Sequence, residues 1–218
     1  MPVVSLMMLL LMSLFLVAMI QVHLFEIAFA KLGLTPEATL MILIGTLLGS
    51  GINIPLFKLK TREVGHLVML PGRKPIWELF QPAREGYTVI AINVGGCLIP
   101  VGLCLYFISL QLVSPLHWLI ALAVIGALSY KLSKPIPGIG IAMPILIAPL
   151  ASVIVALLLD PAHAAHLAYI GGVLGVLIGA DVFKLKSVAS LGVPVASIGG
   201  AGTFDGIFMT GMIAALLA

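Results

Sequence analysis

The chain has 218 residues, of which 61% are hydrophobic and 9% are charged, with a formal net charge of +3 and a mean hydropathy of +1.26. An ordinary soluble domain is about 45–50% apolar, so this composition excludes such a domain and makes lipid the main solvent. A helix that crosses the hydrocarbon core needs about 20 mostly apolar residues. Seven runs approach or exceed that length and predict about seven helices: 3–24, 38–54, 88–111, 116–130, 138–158, 166–182 and 200–217.

The first run predicts a retained helix, because no Lys or Arg precedes Lys31 and the run exceeds the ~7–15-residue apolar core of a cleaved signal. Ala28-Phe29-Ala30 resembles a cleavage site, so cleavage of the first helix stays open. The runs 38–54 and 116–130 are short. Each predicts either a full crossing or a re-entrant half-crossing.

The basic residues predict the orientation, because short loops rich in Lys and Arg stay in the cytoplasm. Ten of the eleven fall on alternate loops: Lys58, Lys60, Arg62, Arg73, Lys74, Arg84, Lys131, Lys134, Lys184 and Lys186. This pattern places the N-terminus in the cytoplasm and the C-terminus outside. The positive net charge follows from topology and predicts no nucleic-acid partner. The loop 57–87 adds Trp77, Phe80 and Tyr87, which is typical of a segment at the membrane surface.

An internal repeat organises the chain. Residues 43–60 (LIGTLLGSGINIPLFKLK) and 169–186 (YIGGVLGVLIGADVFKLK) are identical at nine of eighteen positions without a gap. The match continues with Asn93-Val94-Gly95-Gly96 opposite Ser197-Ile198-Gly199-Gly200.

This repeat predicts an all-α transmembrane bundle that forms a single membrane domain over residues 1–218. It consists of a three-helix unit 1–111, a linking helix 112–134 and a second three-helix unit 135–218. Because one helix separates two odd-numbered units, both enter the membrane in the same sense. The two units are therefore expected to be parallel, related by a pseudo-twofold axis along the membrane normal.

Asp160-Pro161 corresponds to Thr35-Pro36 in the repeat. Both pairs predict a helix N-cap followed by proline at the first helical position. Asp160 with His163 and His166 also offers metal-ligand types, but successive three-residue steps drift around a helix and no fourth ligand is evident. We therefore predict neither a metal nor another cofactor.

Asp181 and Asp205 lie towards the cytoplasmic ends of the sixth and seventh predicted helices, where they can meet. Glycines at 199–202 are expected to interrupt the seventh helix, and further interruptions at 49–55, 93–96 and 135–140 fall at the same depth. Close helix packing would explain the glycines but not the polar side chains. The predicted catalytic residues are Asp181 and Asp205, and the residues predicted to line a substrate site or pathway are Asn53, Asn93, Gly199, Gly200, Gly202 and Thr203.

The segments GSGINIPL, AINVGG, PIPGIGIAMP, IGAD and GGAGTFDGIF together resemble a prokaryotic membrane family known as domain of unknown function 1614, over nearly the whole chain. This resemblance implies a multi-pass protein of the prokaryotic cytoplasmic membrane and brings no activity with it. The surroundings of Asp181 and Asp205 are similar to intramembrane aspartyl proteases of the presenilin, signal-peptide-peptidase and prepilin-peptidase type. Those proteases carry a Gly-x-Gly-Asp motif, whereas Phe204 replaces the second glycine here and Ile178-Gly179-Ala180-Asp181 lacks both.

The leading hypothesis is an aspartyl-protease-like intramembrane hydrolase. Two close carboxylates share one proton, so Asp181 and Asp205 would activate water in a cavity open to the cytoplasm. Asn53 and Asn93 would support them, and the loop 57–87 would gate or orient a membrane-protein substrate.

Two other classes stay open. A small-solute or ion transporter would bind a proton or cation at Asp181 or Asp205, although Pro55 and Val101 occupy the corresponding positions in the first unit. A structural subunit of a membrane complex would pack or oligomerise through glycine-rich helix faces. In either case membrane lipid is a partner. Asp181 also has a purely structural alternative, as an interfacial charge that pairs with Lys184.

Overall fold

The structure is a computed structural model that describes residues 3–60, 87–136, 140–188, 195–200 and 206–218. The α-helices in this part of the chain are α1 (Val3–Lys31), α2 (Pro36–Gly49), α3 (Ile99–Ser109), α4 (Pro115–Leu132), α5 (Ile147–Leu159), α6 (Ala164–Val176), α7 (Leu185–Val188) and α8 (Gly206–Leu217). The strands are β1 (Asn53–Lys60), β2 (Tyr87–Asn93), β3 (Lys134–Ile136), β4 (Gly140–Ala142) and β5 (Val195–Ile198). Most of the predicted loop 57–87, including Trp77 and Phe80, lies outside the described residues.

The apolar helices fall where hydropathy predicts them, and the molecule has the pattern of a helical membrane protein. Three segments in the described residues are long and apolar enough to cross a membrane: Ser5–Lys31, Pro115–Leu132 and Pro161–Val182. Four apolar helices are shorter: Pro36–Gly49, Val94–Ser109, Ile147–Leu159 and Gly206–Leu217. The run 116–130 thus belongs to an 18-residue helix, about 27 Å long and sufficient for a crossing. The run 38–54 contains a helix of 14 residues.

The prediction of an all-α fold is wrong at one end of the molecule, which we call the sheet end. There β1 pairs antiparallel with β2, and β2 pairs parallel with β5. Strands β3 and β4 form a separate antiparallel hairpin. The β2 sequence YTVIAIN is rich in β-branched residues, which favour strands. It was expected to begin a helix because a continuous apolar run reveals neither the helical nor the strand period.

Helix α6 forms the centre of the bundle and packs against α4, α5 and α8. Its side chains Tyr169, Ile170 and Val173 are fully buried. Such packing is driven in lipid by van der Waals contact and not by exclusion of water, so close backbone approach matters.

Glycines at every fourth position allow that approach between α6 and α4. A Cβ added to Gly171 would lie 2.8 Å from the Cβ of Ala121, and one added to Gly175 would lie 2.7 Å from the Cβ of Ile125. At Gly179 the added atom would collide with the backbone carbonyl of Gly126. The α4–α6 contact therefore has no room for side chains at these three glycines.

Among the described residues, helix α1 packs against the rest of the protein through its C-terminal part. Ala28 and Phe29 are buried, and the Phe25 ring packs edge-on against Phe208 at 5.9 Å between centroids. The Lys31 ammonium donates a hydrogen bond to the Leu216 carbonyl at 2.7 Å. The large apolar side chains before Phe25 are exposed, as suits a helix surrounded by lipid.

The end opposite the sheet carries the two predicted helix caps, and both are confirmed. The Thr35 hydroxyl accepts the backbone N–H of Ala38 at 3.3 Å, and the Asp160 carboxylate accepts that of His163 at 3.2 Å. The imidazole of His163 also lies 3.3 Å from Asp160, and that of His117 lies 3.9 Å from it. Within the described residues, no group of three His, Cys, Asp or Glu side chains is arranged to hold a metal ion.

Candidate functional site

Two helices change their winding as they reach the sheet end. A π-helical segment, Val94–Leu98, joins β2 to α3, and a second, Leu177–Val182, extends α6. A π-helical turn widens the backbone and leaves carbonyl groups off the regular ladder, and such turns are frequent at functional sites. Both segments contain glycine. An interruption was predicted at 93–96, which overlaps the first segment, but none was predicted at 177–182.

The first π-helical segment packs directly on the end of α2. A Cβ on Gly95 would collide with the Thr46 carbonyl, and one on Gly49 would lie 2.9 Å from the Gly95 amide nitrogen. Backbone therefore meets backbone here. This contact brings the interruptions at 49–55 and 93–96 into one layer.

Asn93 holds this layer together from a fully buried position, with a relative exposure of 1%. Its side-chain amide donates to the Ser50 carbonyl at 2.8 Å and to the Asn53 side-chain oxygen at 3.0 Å. Its own side-chain oxygen accepts the Gly96 N–H at 2.7 Å and so caps the π-helical segment. Both amide protons are used, and the side chain is fixed in one orientation.

The polar contacts continue onto β5. The Ser197 hydroxyl donates to the Asn53 side-chain oxygen at 2.5 Å. That oxygen therefore accepts from β2 and from β5, while Asn53 itself is exposed at the start of β1. Three strands that are distant in sequence share one side-chain oxygen.

Asp181 lies within the second π-helical segment and is partly buried. Its carboxylate accepts the backbone N–H of Gly199 at 3.2 Å, directly after β5. Gly199 has φ +68°, a conformation that favours glycine, and it is packed against the backbone of Gly96. The nearby Lys184 ammonium lies over the Tyr130 ring, 4.1 Å from its centroid.

The structure brings four predicted site residues into this layer: Asn53, Asn93, Gly199 and Asp181. Gly200 is exposed at the edge of this layer, and its N–H donates a hydrogen bond to the Ser197 carbonyl at 3.2 Å. The predicted residues Gly202, Thr203 and Asp205 lie outside the described residues, so the meeting of Asp181 with Asp205 stays a prediction. We call the polar layer the two hydrogen-bonded groups that adjoin along residues 197–199: Ser50, Asn53, Asn93 and Ser197, and Gly199 with Asp181.

Ser50 and Ser197 were absent from the predicted site. Ser50 contributes a backbone carbonyl, which leaves no mark in the sequence. Ser197 occupies the position of Asn93 in the repeat alignment, and a polar residue at both equivalent positions was the available signal. The predicted interruption at 135–140 has a less direct connection to the polar layer. Ile141, in the adjoining strand β4, packs on the same apolar cluster as Ile90 and Ile198.

The polar layer presents a carboxylate, an amide oxygen and a hydroxyl at the end of a bundle that is otherwise apolar. Oxygen atoms of these types bind protons and hard cations. Irregular backbone at membrane depth is tolerated only where protein or water satisfies it. The arrangement therefore suits the binding of a small cationic species better than that of an apolar ligand.

A family model described as "Protein of unknown function (DUF1614)" matches residues 47–217. The match includes every residue of the polar layer and leaves out α1 and most of α2. No curated protein and no solved structure matches the chain. The comparisons therefore supply a family without an activity.

Proposed function

This chain belongs to the DUF1614 family, and we propose that it moves a proton or a small monovalent cation across the membrane by way of Asp181. The observation that carries the proposal is the polar layer itself. Hydrogen bonds join β1, β2 and β5 through Asn53, Asn93 and Ser197, in a chain that is 61% hydrophobic. Two residues after Ser197, the Gly199 N–H donates to the carboxylate of Asp181 and so places that carboxylate beside this set.

A carboxylate at this position needs a reason, because ionisable groups in membrane helices are costly and mark ion or proton pathways. Asp181 is the only acidic residue described at the sheet end. It lies where α6 loses its regular winding, and interrupted helices form the ion sites of many transporters. The Ser197 hydroxyl, which donates to Asn53, keeps oxygen lone pairs that add a neutral acceptor to the same polar layer.

The strand pairing supports the parallel repeat on which a transport mechanism would rest. Rotation about an axis along the membrane normal preserves the direction of a strand along that normal. β2 and β5 run into the segments 93–96 and 197–200 that align in the repeat, and the two strands pair in parallel. The pairing is offset by two residues from the sequence alignment, since Ser197 faces Ala91 and not Asn93.

Aspartyl hydrolysis is the second candidate, and one contact favours it. The Asp181 carboxylate accepts the N–H of Gly199, so the glycine-rich stretch that leads to Asp205 begins at that carboxylate. If the residues after Gly200 bring the Asp205 carboxylate next to that of Asp181, the two carboxylates can share a proton.

Flux measurements on the purified full-length chain in liposomes test the proposal. An internal pH dye reports proton movement, and a valinomycin-set potential with external Na⁺ or K⁺ reports cation coupling. We expect flux above that of empty liposomes. Asp181→Asn should lower it by at least about tenfold, because a neutral amide neither takes up a proton nor balances a cation.

Two variants control for misfolding. Asp181→Glu keeps the charge and should retain part of the flux, and Glu37→Gln removes an exposed carboxylate at the opposite end and should leave flux unchanged. Absence of H⁺, Na⁺ and K⁺ flux, or full flux in Asp181→Asn, would contradict the proposal. Cleavage of a single-span peptide that both Asp181→Asn and Asp205→Asn abolish would instead favour the hydrolase.

A further inference from the structure

The sheet end carries a dense group of positive charges that the proposed transport does not use. Six lysines belong to this group, which we call the lysine layer: Lys58, Lys60, Lys131, Lys134, Lys184 and Lys186. Five are exposed, and Lys184 is partly buried above the Tyr130 ring.

Packing holds these lysines in one region. Lys58 and Lys60 flank Leu59, and Lys184 and Lys186 flank Leu185. Both leucines pack on a single apolar cluster formed by Ile90, Cys97, Val188 and Ile198.

The remaining two lysines lie on elements attached to the same region. Lys131 follows Tyr130, whose ring contacts that of Phe183 at 6.2 Å between centroids. Lys134 begins β3, which pairs with β4, and Ile141 of β4 packs on the same cluster as Leu59 and Leu185.

Within the described residues, the lysine layer has little acidic counter-charge. Among the residues that the structure describes, no ion pair includes any of the six lysines. The described acidic residues Glu26, Glu37 and Asp160 lie towards the opposite end, and Asp181 accepts the Gly199 N–H. Among the described residues, six positive charges are therefore set against one carboxylate at this end. Like charges gathered on one surface repel one another, and their combined field attracts anions.

Large apolar side chains are exposed among these lysines. On β1 they come just before the two lysines, and Phe183 immediately precedes Lys184. Their relative exposures are Ile54 44%, Leu56 50%, Phe57 46%, Ile136 37% and Phe183 63%. A surface for a soluble polyanion would not expose such side chains, whereas lipid takes up apolar side chains and charge at adjacent depths.

We propose that the lysine layer binds the phosphate groups of anionic phospholipids in the leaflet at the sheet end, the predicted cytoplasmic side. The ammonium groups contact the headgroup phosphates, and Phe57, Leu56 and Phe183 pack among the upper acyl carbons. Juxtamembrane basic clusters are attracted to anionic leaflets in this way. The inference is independent of the proposed transport.

Thermal unfolding of the purified full-length chain in a neutral detergent tests this binding. Mixed micelles with phosphatidylglycerol should raise the apparent Tm by several degrees more than mixed micelles with phosphatidylcholine. The increment should shrink as NaCl rises, because salt screens exposed charges. The combined substitution of Lys58, Lys60, Lys184 and Lys186 by Gln should abolish it.

The matched control replaces the same four lysines by Arg, which keeps the charge and should retain the phosphatidylglycerol increment. Lys31→Gln, at the opposite end, should also retain it even if its overall Tm falls. Equal effects of the two lipids, or an increment that survives the Gln substitutions, would overturn the proposal. So would an equal Tm rise with inorganic phosphate alone, since the site would then recognise free phosphate and not lipid.

Discussion

The two segments that align in sequence, 43–60 (the first copy) and 169–186 (the second copy), begin alike as helices and end differently. In the first copy, α2 stops at Gly49 and residues 53–60 form the strand β1. In the second copy, α6 continues through the π-helical segment Leu177–Val182 and leads into α7. The shared sequence Phe-Lys-Leu-Lys is a strand in one copy and a turn with the start of a short helix in the other.

The residues between the shared positions explain the difference. Ser50 in the first copy bonds back to the Thr46 and Leu47 carbonyls at 2.8 Å, and Pro55 has no N–H with which to continue a helix. In the second copy Gly179 packs on the Gly126 backbone and keeps the chain against α4. The identical tetrapeptide therefore takes the conformation that its surroundings favour. It is a strand paired with β2 in the first copy and leads into α7 in the second. Local sequence is therefore a weaker determinant here than tertiary contact.

Two glycines, one from each copy, give the largest expected contrast, although they do not occupy aligned positions. Gly179→Ala should destabilise the protein towards the upper end of ~1–3 kcal/mol, because the new Cβ meets the Gly126 carbonyl and backbone cannot rotate away. Gly45→Ala in the first copy meets only the end of the Ile99 side chain at 3.5 Å. It should change stability by less than about 1 kcal/mol. Chemical or thermal unfolding in detergent measures both, and equal losses would contradict close α4–α6 packing.

The polar layer offers the next contrast, between Asn93 and its repeat counterpart Ser197. Asn93→Ala removes three hydrogen bonds and leaves the Ser50 carbonyl and the Gly96 N–H without their partner. We expect a loss of about 2 kcal/mol. Ser197→Ala removes one bond to an exposed oxygen and should cost about 0.5–1 kcal/mol. The unfolding midpoints of the two variants measure these losses. A larger loss for Ser197→Ala than for Asn93→Ala would show that Asn53 and Ser197, and not Asn93, organise the sheet end.

The smallest effect is expected for a substitution of Pro55. This substitution tests whether proline is what prevents the first copy from continuing as a helix beyond α2. Pro55→Ala should alter stability by under about 1 kcal/mol, since proline is tolerated on an edge strand and loses no ladder bond there. Helix content by circular dichroism should remain unchanged, because β1 stays paired with β2. A rise in helix content would show that proline alone prevents the first copy from continuing as the second does.

Much of the helical architecture was predictable because hydrophobic runs report membrane helices directly. The strands were not, because Tyr87–Asn93 is apolar throughout and its partners in β1 and β5 are distant in sequence. Strand pairing depends on such non-local contacts, and no single segment encodes them.

The polar residues of the site were recognisable because Asn and Asp are rare in an apolar chain. Their common depth followed from the alternation of charged loops, and the structure places Asn53, Asn93 and Asp181 in the polar layer. The bonds among them were not predictable, since they depend on a carbonyl of Ser50 and on the register of β5. The catalytic or transport role of Asp181 and Asp205 stays a proposal.

The one-sided attachment of α1 has a consequence for how the protein meets bilayers of different thickness. The apolar helix Ser5–Lys31 has 27 residues and a length of about 40 Å, against a hydrocarbon core of roughly 30 Å. Tilting absorbs such an excess at little cost. In the described residues α1 is held near Phe25 and Lys31, so we expect it to tilt about that point while the packed helices around α6 keep their positions. Hydrophobic mismatch would then be taken up mainly by one helix, with little strain on α6.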